Sequence, residues 1–243
     1  MRNLLFALTG LCLAALSVSA VAGSAESLRD HLVENYPGFD LDSVEETPIP
    51  GVFEVVGGGD ILYMTADGRY MLRGELLDLA ADRNLTQDVR DGISHRRVGE
   101  IDAADMVVYT PEGGEARHTV TVFTDVTCPY CRTLHEDLLE LLAAYPVEVR
   151  YLMYPRAGVD SGAADTLRDI WCADDPQQAM TDAKRGERVP ARGSDCDPPV
   201  TEQYELGQRI GVSGTPYVLL DDDGPVFAGY RPGEQLLQIL GLE

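Results

Sequence analysis

Thr119-Val120-Thr121-Val122-Phe123-Thr124-Asp125-Val126-Thr127-Cys128-Pro129-Tyr130-Cys131 decides how the rest of the chain is read. Its first five residues are β-branched or aromatic, which predicts a strand. Leu134, Leu138, Leu141 and Leu142 follow at helical spacing, which predicts a helix beginning at the cysteines and ending at Pro146. Val147-Glu148-Val149-Arg150-Tyr151-Leu152 then alternates as a second strand. Strand, Cys-x-x-Cys, helix, strand is a crossover unit of an α/β fold with a parallel pair of strands. Downstream, residues 160–210 read as mostly helical and interrupt the sheet. Tyr217-Val218-Leu219-Leu220, a turn at Asp222-Asp223-Gly224, Val226-Phe227-Ala228 and a helix from Gly233 to Leu240 complete it. This α/β domain spans 107–243.

Upstream, Leu85, Val89 and Ile93 recur at roughly helical spacing among Arg90, Arg96, Arg97 and Glu100. Gly92 and Gly99 each weaken such a helix by about 1 kcal/mol relative to alanine. The narrow apolar stripe predicts a linker helix over 84–106 rather than a core helix. Residues 23–83 form a separate α+β unit. A helix over 24–36 carries Leu28, Leu32 and His31 near one face and stops at Pro37-Gly38. Then come Val52–Val56, a turn at Gly57-Gly58-Gly59, Ile61–Thr65, a turn at Asp67-Gly68 and Arg69–Leu72. A unit of about 60 residues buries too little surface to be robust alone. Its meander also leaves unpaired edges. Dimerisation through strands resolves both problems; packing onto its own chain is the alternative.

Residues 1–22 have Arg2, an apolar run from Leu4 to Leu16 and small residues to Ala22. This is the pattern of a cleavable export signal, with Ala20-Val21-Ala22 at the cut. The run is too short to span a bilayer. Cys12 leaves with it, since Leu11 is not the small residue that lipid attachment requires. No other stretch suits a membrane, so no insertion of the mature chain is expected. Cys128, Cys131, Cys172 and Cys196 remain, an even number in an oxidising compartment, with three pairings open. The net charge is −22, and Lys184 is the one lysine among 19 basic residues. That charge argues against nucleic acid as a partner and suits a salty exterior.

Only the thiolate of a cysteine attacks. At a helix start, Cys128 faces unpaired N–H groups and the positive end of the helix, both of which favour an anion. Pro129 suits the first helical position, which has no use for its missing N–H. Cys128 is therefore expected to be an exposed nucleophile, with Cys131 as the buried thiol that resolves the mixed disulfide. Two sulfurs suffice for this chemistry, with no cofactor and no metal. A zinc site would need two more ligands at knuckle spacing; an inert structural bridge is the other bland reading. Gly214-Thr215-Pro216-Tyr217-Val218, ahead of a strand, predicts a cis bond at Pro216, against an ordinary trans turn. Asp125 either tunes the thiolate or is a solvated or turn-capping residue, and His135 is open to the same choice between function and structure.

The run Thr121–Cys131 with Leu134-His135-Glu136 resembles the DsbC/DsbG family of periplasmic thiol:disulfide interchange proteins. So do Ile170-Trp171-Cys172-Ala173, the segment from Leu206 to Pro216 and the Gly51–Gly74 meander. The resemblance covers the mature chain and lies closer to the DsbC branch. It implies a thioredoxin-like catalytic domain with a helical insertion, a cystatin-like N-terminal dimerisation domain and a V-shaped homodimer. The cleft of that dimer takes misfolded exported proteins with non-native disulfides, with chaperone activity. It also implies that Cys128 attacks, that Cys131 is its redox partner, and that a DsbD-like membrane reductase keeps both reduced. Thr215-Pro216 would lie against the redox pair, and Tyr130 and Tyr217 would flank the cleft as substrate contacts. The resemblance further implies an additional structural disulfide between Cys172 and Cys196, closing a loop worth roughly 3 kcal/mol. Two departures stand out. Pro129 replaces the usual DsbC glycine and gives the Cys-Pro-Tyr-Cys pattern of the DsbG branch, which resembles a chaperone and a reductase of sulfenylated single cysteines. Thioredoxin itself has a buried aspartate six residues before its first cysteine; here that position is Val122.

Overall fold

The computed structural model describes residues 23–111, 114–191 and 196–242. The segment expected to be an export signal, with its expected cut and Cys12, lies outside the described residues. By contacts the chain divides into two units, one of Met1–Gly57 with Leu62–Leu72 and one of Gly58–Ile61 with Arg73–Glu243.

In the first unit, Ser24 caps α1 (Ala25–Asn35) by accepting the Ser27 N–H. Leu28 and Leu32 are its buried residues; His31 lies at the rim of that face, only partly buried. The sheet runs in the order β1 (Leu41–Glu46), β2 (Val52–Gly57), β3 (Asp60–Thr65), β4 (Met71–Leu72). Val44, Phe53, Val55, Leu62 and Met64 join the two helix leucines in one small core. Gly68 holds φ +66° in the turn before β4, where a side chain would be strained. β1 is absent from the sequence reading because Leu41-Asp42-Ser43-Val44-Glu45-Glu46 has only Val44 buried. An edge strand needs just one apolar contact and gains from charge elsewhere. At the opposite edge, Tyr70, Met71 and Leu72 are 57–60% exposed.

The second unit opens with the short pair β5 (Leu77–Asp78) and β6 (Arg83–Asn84) and then α2 (Leu85–Gly99), capped by Asn84. β7 (Val107–Tyr109), β8 (His118–Thr124), α3 (Pro129–Ala144) and β9 (Val147–Met153) follow. Helices α4 (Gly162–Trp171), α5 (Pro176–Arg185) and α6 (Val200–Arg209) make up the insertion. β10 (Tyr217–Leu220), β11 (Val226–Ala228) and α7 (Gly233–Leu240) close the chain. The sheet order is β11-β10-β8-β9-β7, with β8 and β9 parallel and the other neighbours antiparallel.

Alternation along the central strands fills two cores. Val120, Val122, Val149, Tyr151, Met153, Val218 and Leu220 face α3, α4, α5 and α7. Phe123, Leu152, Tyr217 and Leu219 face the other way, toward Val98, Leu206 and Ile210. Burial on both faces explains why β10, Tyr217-Val218-Leu219-Leu220, reads as a continuous apolar run. The α2 helix packs more closely than its narrow apolar stripe suggests. Val98 is buried in the second core, Ser94 Oγ lies 3.0 Å from the Tyr217 hydroxyl, and His95 Nε2 lies 2.8 Å from the Gly224 carbonyl. Its apolar stripe is narrow because small polar Ser94 and Thr86 also pack inward. Among the described residues no helix is long and apolar enough to cross a membrane.

Candidate active site

Cys128 is the N-cap of α3, with Pro129 at the first helical position and no side chain capping the helix. The N–H groups of that first turn are therefore open to the sulfur, and the positive helix end faces it. The Cys128 thiol donates to the Thr215 carbonyl at 3.2 Å, and the Thr215–Pro216 bond is cis. Two segments 87 residues apart thus meet at one sulfur. Both cysteines are free thiols. The expected exposure of Cys128 is corrected: only 1% of it is accessible. The loop at Thr215 covers it, while Thr127, Pro129 and Tyr130 around it are exposed.

Electrostatics nevertheless separate the two sulfurs. Burial raises the Cys128 thiol, but the Cys131 N–H, the Thr215 and Cys131 side chains and the Arg156 charge outweigh it, and the net shift is downward. Burial also raises Cys131, and there it wins over the Lys184 charge and nearby hydrogen bonds, so that thiol shifts upward. The two sulfurs are displaced in opposite directions, Cys128 toward the thiolate and Cys131 toward the thiol. That division is what an attacking and a resolving cysteine require.

Asp125 is 1% exposed, so the solvated reading is corrected in favour of the turn-capping one. Its carboxylate accepts from the Thr127 N–H and hydroxyl at 2.7 Å each, and from the Arg156 N–H and Nε at 2.9 and 3.2 Å. Burial raises its carboxyl, yet these donors together hold it below the usual range. Tyr130 is 62% exposed and stacks on Tyr230 at 6.5 Å. Tyr217 is not placed for substrate contact, because it is buried with its hydroxyl on Ser94. Cys172 and Cys196 form a disulfide with Cα atoms 5.9 Å apart. Among the described residues no three His, Cys, Asp or Glu side chains converge as a metal site would need.

His135 lies one turn beyond Cys131 and is buried. Nδ1 is 2.7 Å from the Tyr151 hydroxyl and Nε2 is 3.1 Å from Thr181 Oγ1. Burial, with the Lys184 charge second, pushes its pKa down to about 4. The unfolded chain binds this proton near pH 6.5 and the folded one does not until about 4, so the stabilisation is complete above 6.5 and is lost as pH falls toward 4. The expected loss is about 3 kcal/mol, read as a falling urea midpoint. His135→Gln is expected to flatten that slope; an unchanged slope contradicts the assignment.

Sequence reasoning missed Lys184, Thr124 and Arg156 as neighbours of the cysteines. Nothing in local periodicity marks them, although Lys184 being the only lysine is a signal.

Residues 104–242 match the thioredoxin-like domain family, and residues 19–87 match the disulfide bond isomerase protein N-terminal domain. The thiol:disulfide interchange protein DsbC of Dickeya dadantii is 35% identical over 240 residues, covering 98% of this chain and 94% of that protein. DsbC of Escherichia coli is 32% identical over 203 residues, covering 84% of this chain and 82% of that protein. A crystal structure of a disulfide interchange protein from Neisseria gonorrhoeae superposes with a TM-score of 0.50 at 32% identity. It covers 58% of this chain and 96% of that one. With its thioredoxin-like fold, its dithiol at a helix start and relatives matched along nearly their whole length, the chain belongs to the DsbC family of thiol:disulfide interchange proteins and is a thiol–disulfide oxidoreductase.

Proposed function

We propose that this protein reshuffles wrong disulfides in exported proteins through Cys128-Pro129-Tyr130-Cys131. The observation that carries the reading is the opposite displacement of two thiols one helical turn apart, Cys128 downward and Cys131 upward. The Cys128 thiolate attacks a substrate disulfide; the new S–S bond joins Cys128 to one substrate sulfur, and the other sulfur leaves as a thiolate. That thiolate can attack a second disulfide of the substrate, and the thiolate expelled there attacks the mixed disulfide and releases Cys128 as a thiolate, which is isomerisation. Alternatively Cys131 attacks, the Cys128–Cys131 disulfide forms and the substrate leaves reduced. A DsbD-like membrane reductase then restores the dithiol. Exposed Tyr130 beside the pair offers an aromatic surface to unfolded chain, in keeping with a chaperone role. Cys172–Cys196 is the structural disulfide.

Residues 1–22 act as a cleavable signal that delivers the chain to the periplasm. Residues 23–83 serve as the dimerisation domain, 84–106 as the connecting helix and 107–243 as the catalytic domain. The exposed apolar edge at Tyr70, Met71 and Leu72 supports a homodimer. Pro129 favours a second reading as a DsbG-like reductase of sulfenylated single cysteines, since the residues between the cysteines tune the redox poise. Refolding of a scrambled multi-disulfide protein in reducing glutathione separates the two. Faster recovery of native pairing is expected; no acceleration, with rapid reduction of a sulfenylated protein, overturns the first reading in favour of the second.

A further inference from the structure

We propose that Lys184 is the charge partner of Cys131: its buried ammonium, through the Thr124 hydroxyl, stabilises the sulfur as a thiolate when it attacks the mixed disulfide on Cys128. Lys184 is the only lysine of the chain and only 3% of it is exposed. It projects from α5 to donate to Thr124 Oγ1 at the end of β8, and its Nζ lies 5.4 Å from the centre of the Tyr151 ring. Among the described residues no carboxylate forms an ion pair with it. A buried cation without a carboxylate is costly, so it is retained where an anion is generated nearby.

The groups facing it are Cys131, Arg132 and His135 on α3, Asp125 and Cys128 in the turn before that helix, and Tyr151 on β9. His135 stays neutral above its pKa of about 4, so it adds no second charge beside the ammonium. Burial pulls Lys184 down to about 8, against the upward pull of Cys131, Asp125 and Cys128. At neutral pH it is mostly charged. Val122 fills the neighbouring stretch of β8 with a fully buried apolar side chain, so the polar help for Cys131 on this face comes from α5 and Thr124.

In the resolving step Cys131 gives its proton to water and attacks the Cys128 sulfur of the mixed disulfide. The Cys128–Cys131 bond forms, the Cys128–substrate bond breaks, and the electron pair leaves on the substrate sulfur, which takes up a proton through water. Lys184 keeps its charge throughout. It is a positioning residue that acts on the sulfur electrostatically.

The proposal rests on Cys128 and Cys131 being the redox pair, and the test separates the two claims. The full-length mature protein and Lys184→Met are equilibrated with a glutathione series. Removing the cation destabilises the thiolates but not the disulfide, so the equilibrium should move about tenfold toward the disulfide. The pH midpoint for thiolate formation at Cys131 in a Cys128→Ser background, followed by absorbance at 240 nm, should rise. If the unsubstituted protein shows no glutathione-dependent disulfide, the redox pair itself fails. If it does and Lys184→Met leaves both readouts within twofold, only the role of Lys184 fails. A second measurement needs no substitution at all. The single lysine gives one Cε resonance in carbon-13 spectra, and its titration midpoint should fall by about one pH unit when the dithiol is oxidised. Equal midpoints in the two redox states overturn the proposal.

Discussion

Cys128→Ser is expected to remove disulfide reshuffling by roughly three orders of magnitude or more, leaving the rate set by glutathione alone. The substitution is chemically narrow. Cys128 is the N-cap of α3 and makes no side-chain cap bond, and serine is among the best N-cap residues. The helix should therefore be as stable as before, or more so, and the cis loop at Thr215 should stay in place. Only the low-pKa sulfur disappears. Far-ultraviolet circular dichroism should not change while recovery of native pairing in a scrambled substrate falls to background. Suppression of aggregation should persist, because exposed Tyr130 remains. Reshuffling that survives in the serine variant would contradict the assignment.

The second large effect concerns assembly. Met71 and Leu72 pair with Met64 and Tyr63 on one side, and among the described residues β4 has no strand on the other. Two exposed apolar residues on an unpaired edge are a template for a second copy. Four such side chains buried across a two-fold contact, at about 1.5 kcal/mol each, amount to about 6 kcal/mol. Met71→Asp with Leu72→Asp is therefore expected to weaken the dimer roughly 10⁴-fold. Light scattering should give twice the chain mass for the unsubstituted protein at micromolar concentration and one chain mass for the variant. The glutathione equilibrium of the cysteine pair should not move. A monomeric unsubstituted protein, or a variant that still dimerises, would contradict this use of the edge.

The catalytic half was legible because its signals are local. Thr119–Phe123, the cysteines, the leucines of α3 and the strand from Val147 each declare their structure within a few residues, and Pro216 lies in a short recognisable turn. What stayed hidden depends on partners far away in sequence. Tyr217 looks like a residue beside the cleft, but the alternation of β10 turns it inward to Ser94, 123 positions earlier. Cys128 looks exposed until the Thr215 loop covers it. Asp125 is held locally by Thr127, but its other carboxylate oxygen is satisfied only by Arg156, which lies 31 positions away. β1 has few apolar residues to declare it, and β7, although apolar throughout, is only three residues long. Lys184 is the sharpest case. On a helix with polar neighbours such as Asp182 and Arg185 it reads as solvated, and only the packing of α5 against α3 and β8 brings its charge to the cysteines.

The alkylation rate of Cys128 in the reduced protein, followed by peptide mass across a pH series, addresses the central claim most directly. The account predicts a midpoint below that of an unperturbed cysteine thiol, set by the start of α3, Thr215 and Arg156. A midpoint at or above that of a free cysteine would mean that no anion is held there, and the proposed chemistry would have no nucleophile.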